Sequence, residues 1–266
     1  NTYVGAIGNA TATDNCTTIV SVNNNAPPVF PLGSTNVTWT ATDNCGNTST
    51  CAQVVTVSSL QIIANDDNGS IVNGYSGGIS FSNVLSNDLL NTLPVNPSEV
   101  LLTFISSTNP GVTLSGANVV VAPGTPAGSY TLTYQICEVL NPVNCDQAVV
   151  TVTVSSASII ANDDLGTAVN GYAGGTSFTN VLGNDLLNGV AVNPSEVLLT
   201  FVSSTNPGVT LSGANVVVAP GTPAGSYTLT YQICEVLNPL NCDQAVVTVT
   251  VSSASIIAND DLGTAV

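Results

Sequence analysis

Sixteen carboxylates and no basic side chain share this chain of 266 residues, which contains no Lys, Arg or His. Its chemistry must therefore come from oxygen and sulfur donors. The carboxylates recur in sets: Asp66 and Asp67 with Asn87 and Asp88, then Asp163 and Asp164 with Asn184 and Asp185, then a third doublet, Asp260 and Asp261. Adjacent Asp side chains repel one another, and nothing in the sequence carries the positive charge that would offset them. Calcium, which takes roughly six to eight oxygen ligands from carboxylates, amides and carbonyls, is one partner this chemistry permits. The other reading is turn chemistry, in which Asp and Asn accept backbone N–H bonds at strand ends. Extended backbone would send Asp66 and Asp67 to opposite faces, so at most one of them reaches a given site unless the strand has ended.

Sulfur comes next. In the segment from Tyr130 to Val154, apolar Tyr130, Leu132, Tyr134 and Ile136 alternate with Thr131, Thr133 and Gln135, and Val150, Val152 and Val154 alternate with Thr151 and Thr153. That is a pair of strands with one apolar and one hydroxyl face. Pairing Cys137 with Cys145 sets Thr131 opposite Thr151 and Leu132 opposite Val150, so a Cys137–Cys145 bridge, and likewise Cys234–Cys242, fits the hairpin register. Closing so short a loop contributes about 2.5 kcal/mol in the chain-entropy model. The rival reading is free thiols or half a zinc site, against which stand the absence of His and of any C-x-x-C spacing. Disulfides imply an oxidising, extracellular location. Cys16, Cys45 and Cys51 are an odd count within residues 1–58, which leaves the expectation of a partner upstream of Asn1.

The same inventory excludes several functions. Without Lys or Arg there is no patch to neutralise phosphates, which argues against nucleic acid and against polybasic contact with a membrane. The usual general bases and Schiff-base amines are missing. Glu99 and Glu138 could be put forward as a glycosidase pair, but the pair is copied unchanged as Glu196 and Glu235, which reads as scaffold rather than catalysis. We expect no enzyme. With 44% hydrophobic residues and only 6% charged, against about 25% in an average soluble chain, the sequence has apolar material for real cores.

The elements that must position these residues are strands in a repeat. Aligning Ile62, Ile159 and Ile256 gives a period of 97, since 159 − 62 and 256 − 159 agree, and residues 62–158 differ from 159–255 at twelve positions. A period of this length fits one β-sandwich per repeat. Helical periodicity is absent, and further strands are expected at 80–85, 100–106, 112–114 and 118–122. The fold class is therefore all-β, tandem Ig-like β-sandwich domains in an elongated array. Residues 59–156 and 157–253 form two repeats after a distinct segment 1–58, and 254–266 begin a further one. The chain reads as a window on a longer array.

The stretch "FPLGSTNVTWTATDNCGNTSTCAQVVTV" resembles the C-terminal half of a hyaline-repeat (HYR) domain, an Ig-like extracellular module. The units carrying "ANDD", "NVLSNDLLN" and "PAGSYTLTYQICEVLNPVNCDQAVVTVTV" resemble the Ig-like or cadherin-like repeats of giant Bacteroidota surface proteins, secreted by the type IX system and including SprB-type gliding adhesins. That resemblance implies calcium near a domain junction on the Asp and Asn positions named above. The calcium-rich relatives continue with a further Asp-x-Asp-Gly stretch, where this chain offers only Glu99 and Glu196. It also implies a cell-surface stalk whose partners are neighbouring repeats of the same chain and, through other domains, external surfaces or glycans. The alternative is a self-associating fibre or sheath.

Overall fold

The computed structural model describes residues 7–15, 18–58 and 61–260. Cys16 and Asp261 lie outside them. The described residues form strands and turns with no helix, so none is long and apolar enough to cross a membrane.

The hairpin read from the sequence is the spine of each repeat. Strand Gly128–Glu138 pairs antiparallel with Asn141–Ser155, with Thr131 opposite Thr151, Leu132 opposite Val150 and Cys137 opposite Cys145. Both disulfides are formed, Cys137–Cys145 and Cys234–Cys242. The alternation turns Leu132, Tyr134, Ile136, Val150 and Val152 fully inward. Each such side chain contributes on the order of 1.5–3 kcal/mol through burial. On one side of the hairpin lies the edge strand Val100–Ser107. On the other, two-residue strands Asp67–Asn68 and Val72–Asn73 run parallel to the last strand. A second layer, Gly78–Phe81, Asn118–Val121 and Val112–Ser115, supplies Val112, Val119 and Val121 to the same core. A small sheet, Ile62–Ile63, Leu89–Leu90 and Leu93–Pro94, closes one end. Residues 157–251 repeat this arrangement around a separate core.

The strand expected at 80–85 is displaced. It spans Gly78–Phe81 and stops because Asn83 turns into the left-handed region at φ 60°. Asn tolerates that conformation through its short polar side chain. The two copies differ at the next such turn. Asn91 and Thr92 have φ of 52° and 68°, where the second repeat has Asn188 and Gly189 at 53° and 80°. A β-branched Thr is strained there by about 1–3 kcal/mol, partly offset by the ~0.5–1 kcal/mol that glycine loses in chain entropy. Thr92→Gly is therefore expected to raise the melting temperature of the first repeat by roughly 4–8 °C, read by calorimetry. An unchanged or lower value would mean that the threonine is held without strain.

The first module is smaller. Ile19–Asn24, Gly33–Asp43 and Thr48–Val57 form one antiparallel sheet over Phe30, Val37 and Trp39. The Trp39 indole donates to Gln53 Oε1, and Gln53 in turn donates to the Ile7 carbonyl. Among the described residues Cys45 and Cys51 form no disulfide, and both are exposed.

Candidate functional site

Asp67 opens the strand Asp67–Asn68 and Asp66 precedes it, and their side chains part to opposite sides as extended backbone requires. Asp66 Oδ1 accepts the Val149 amide at 2.8 Å on the outside of the repeat. Asp67 turns inward and is 4% exposed, beside the fully buried Asp88. Asp88 Oδ1 accepts the Asn65 amide at 2.8 Å. The Tyr134 hydroxyl lies 3.0–3.2 Å from both Asp88 oxygens and from the carbonyls of Val84 and Asn65. One phenolic proton thus faces four acceptor oxygens, and Asp67 Oδ2 nearby has no hydrogen-bond partner. The cluster is short of protons and of positive charge.

The electrostatics follow. Burial, and then the Asp88 carboxylate, push Asp67 up to about 6, with Asn87 and Tyr134 pulling the other way. Burial also raises Asp88 and, joined by the carboxylates, holds the Tyr134 phenol far above its ordinary value. The second repeat reproduces this with Asp164, Asp185 and Tyr231, and Asp164 is pushed up to about 6. Asp163 Oδ1 accepts the Val246 amide as Asp66 accepts Val149.

As arranged here, these donors are not gathered into a calcium site. Apart from Asp67 Oδ2 and Asp164 Oδ2, the carboxylate oxygens at hand serve backbone amides or the phenol. The Asp66 and Asp163 carbonyls are engaged as well, accepting from Asn87 Nδ2 and Asn184 Nδ2. Among the described residues no three His, Cys, Asp or Glu side chains are grouped to hold a metal. The hydrogen bonds of the cluster also stay inside one repeat, away from the contact between repeats. Asp260 is exposed, and Asp261 lies outside the described residues. Thermal melts in calcium and in chelator, at matched ionic strength, are therefore expected to superimpose. A shift of many degrees that Asp67→Asn abolishes would put a cation on this cluster after all.

The sequence marks Glu196 only as scaffold or as what stands in place of a calcium-rich stretch, and does not show what the contact between repeats is made of. Asn73 Oδ1 caps a tight turn by accepting the Tyr75 amide, and this presents the Tyr75 ring to the second repeat, against whose core it packs. The Tyr75 hydroxyl donates to Glu196 Oε1 at 3.3 Å. Asn73 Nδ2 donates to Asn188 Oδ1, and Asn188 Nδ2 donates to Ser76 Oγ, both at 2.9 Å. Asn238 Oδ1 accepts the Ala127 amide at 2.7 Å. The linker is fastened as well. Ala157 is buried in the second core, its carbonyl accepts Asn241 Nδ2, and the Ser158 carbonyl accepts the Asn188 amide. The one signal in the sequence was the shared Asn-Gly-Tyr triplet at 73–75 and 170–172.

One family model matches the first module. Residues 7–57 match the HYR domain. The HYR module is followed by repeats whose structure is similar to several solved chains, all at low identity. Protocadherin gammaB7 EC3–6 is 15% identical over 90% of this chain and 66% of its own, with a TM-score of 0.34. The human desmocollin-1 ectodomain is 9% identical over 83% of this chain and 48% of its own, with a TM-score of 0.30. An endo-fucoidan hydrolase of glycoside hydrolase family 107 is 14% identical over 93% of this chain and 39% of its own, with a TM-score of 0.32. The chain thus spans about two fifths of that hydrolase. No curated protein matches the chain.

Proposed function

We propose that the chain is a non-enzymatic stalk segment of an extracellular adhesin, in which an HYR module and Ig-like repeats form a semi-rigid rod of the kind that supports adhesion or gliding in type IX-secreted surface proteins. The observation that carries this reading is the seating of Tyr75 on the second repeat, with a linker whose residues are themselves buried or hydrogen-bonded. Two repeats joined this way cannot swing freely. The disulfides and the extracellular HYR module fit a secreted or surface location. Targets such as glycans or foreign surfaces belong to domains elsewhere in the parent protein.

Small-angle scattering tests the rod. The chain is expected to give one extended, narrow distribution of shapes, and Tyr75→Ala to broaden it while lowering the melting temperature of the second repeat by roughly 4–8 °C, the equivalent of about 1 kcal/mol. A broad distribution already in the unmodified chain would sink the stalk reading.

One observation favours a second reading, lateral self-association into a fibre. The edge strands Val100–Ser107 and Val197–Ser204 expose Leu101, Phe104 and Ile105, and Leu198, Phe201 and Val202, with no charge among them. Uncharged apolar edges are pairing templates. Sedimentation that is independent of concentration would remove this alternative.

A further inference from the structure

The contact between repeats has two faces, and each occurs twice in the chain, once engaged and once bare. Tyr75 is packed against the second repeat, whereas Tyr172, its counterpart 97 residues on, is 80% exposed. The turn that presents Tyr172 is already built: Asn170 Oδ1 accepts its amide at 3.0 Å, as Asn73 does for Tyr75. The receiving face behaves in the same way. In the second repeat the loop after Glu235 meets the first repeat through Asn238, and Leu237 is half-buried. In the first repeat the matching Leu140 is 81% exposed, and Asn141 instead pairs back onto Glu138. The two loops differ in sequence only at Val143 and Leu240, so one segment adopts two conformations, one with a neighbour engaged and one without.

Resting on the rod reading above, we infer that the Tyr172 face of the second repeat is a docking surface for one further copy of the 97-residue unit, received through its equivalents of Leu187, Glu196 and Asn238. The chain beyond this face supports that occupant. Residues 252–266 repeat residues 155–169 without change, including the linker that seats the second repeat on the first. The engaged and bare faces share Asn-Gly-Tyr, so the new contact reuses the Asn–Asn and Tyr–Glu pairs. It differs in one bond: Ala173 stands where Ser76 accepts Asn188 Nδ2, which makes the second contact one hydrogen bond poorer than the first.

The test extends residues 1–255 by one more copy of residues 159–255 and follows each unit's melting and amide exchange. In the extended chain, Tyr172→Ala is expected to lower the transition of the added unit by roughly 4–8 °C and to expose its receiving loop to exchange. Ala173→Ser is expected to raise that transition. In the original chain Tyr172→Ala should change nothing, because its ring touches solvent. If Tyr172→Ala is silent in the extended chain while Tyr75→Ala still loosens the second repeat, the docking inference falls and the rod reading survives. If both are silent, both fall.

Discussion

Replacing Gly74 with alanine is expected to lower the melting temperature of the first repeat by about 12 °C or more, a loss of roughly 3 kcal/mol. The reason is steric and local. A Cβ on Gly74 would overlap the Thr125 carbonyl oxygen and press on Val154 Cγ1. The carbonyl cannot rotate away cheaply, since the Gly74 carbonyl accepts the Gly124 and Thr125 amides and the Gly74 amide donates to Ser155. Moving the segment breaks these bonds together, and each buried group left unpaired costs about 1–3 kcal/mol. Gly171 meets Thr222 and Val251 in the same way, so Gly171→Ala should destabilise the second repeat similarly. Gly74→Ala should in addition displace Tyr75 and uncouple the two repeats, an effect Gly171→Ala lacks. Gly183→Ser is the control, because Ser86 already occupies that place in the other copy. Melts of Gly74→Ala within a few degrees of the parent would show that the close approach relaxes freely.

The chain should also be more stable at pH 4 than at pH 7, the reverse of a protein held by ion pairs. Asp67 and Asp164 are raised from 3.8 to about 6 in the folded chain. A raised carboxyl prefers its proton when folded. Its stabilising contribution is full below the unfolded value and is lost as pH rises through about 6. The rise sets a ceiling near ~3 kcal/mol at neutral pH, and screening by nearby solvent brings the expected figure to about 1–2 kcal/mol per repeat. Relief of repulsion among carboxylates without basic partners acts in the same direction. Asp67→Asn combined with Asp164→Asn separates the two causes: this variant should melt higher than the parent at pH 7 and lose most of the difference between pH 4 and pH 7. A parent chain that melts higher at pH 7 would mean that both carboxyls stay ionised at no cost.

Long-range order was legible where chemistry repeats at period two. The register of the hairpin between Tyr130 and Val154 was legible, because alternation set its faces and Cys137 and Cys145 set its pairing. The shift after Cys137 that puts Glu138 opposite Asn141 was not. The acid cluster was only half legible. Turn chemistry was one of the two readings offered, and Asp66 and Asp88 do accept backbone amides. Nothing in the sequence indicated that Tyr134, 46 residues from Asp88, supplies the one shared proton. Two-residue strands such as Asp67–Asn68 are too short to show any periodicity, so the face on which Asp67 ends was set by tertiary pairing with Val150. The contact between repeats was illegible for a further reason. Tyr75 and Tyr172 share the Asn-Gly-Tyr triplet, and what sets their surroundings apart is the second repeat, whose Glu196 lies 121 residues from Tyr75.

The parallel pairing of each repeat's first strands with its last has a mechanical consequence. The chain enters beside Ile62 and leaves at Ser155, and Asp67–Asn68 and Val72–Asn73 lie alongside the final strand in the same direction. A pull on the two ends therefore draws these strands past each other along their length. The hydrogen bonds from the Gly69 amide to the Thr151 carbonyl and from the Gly74 amide to the Ser155 carbonyl carry that load side by side. In a hairpin geometry they would have parted one after another, like a zip. Once they yield, the chain between Cys137 and Cys145 still cannot lengthen, so each repeat unfolds to a length shortened by that bridged loop.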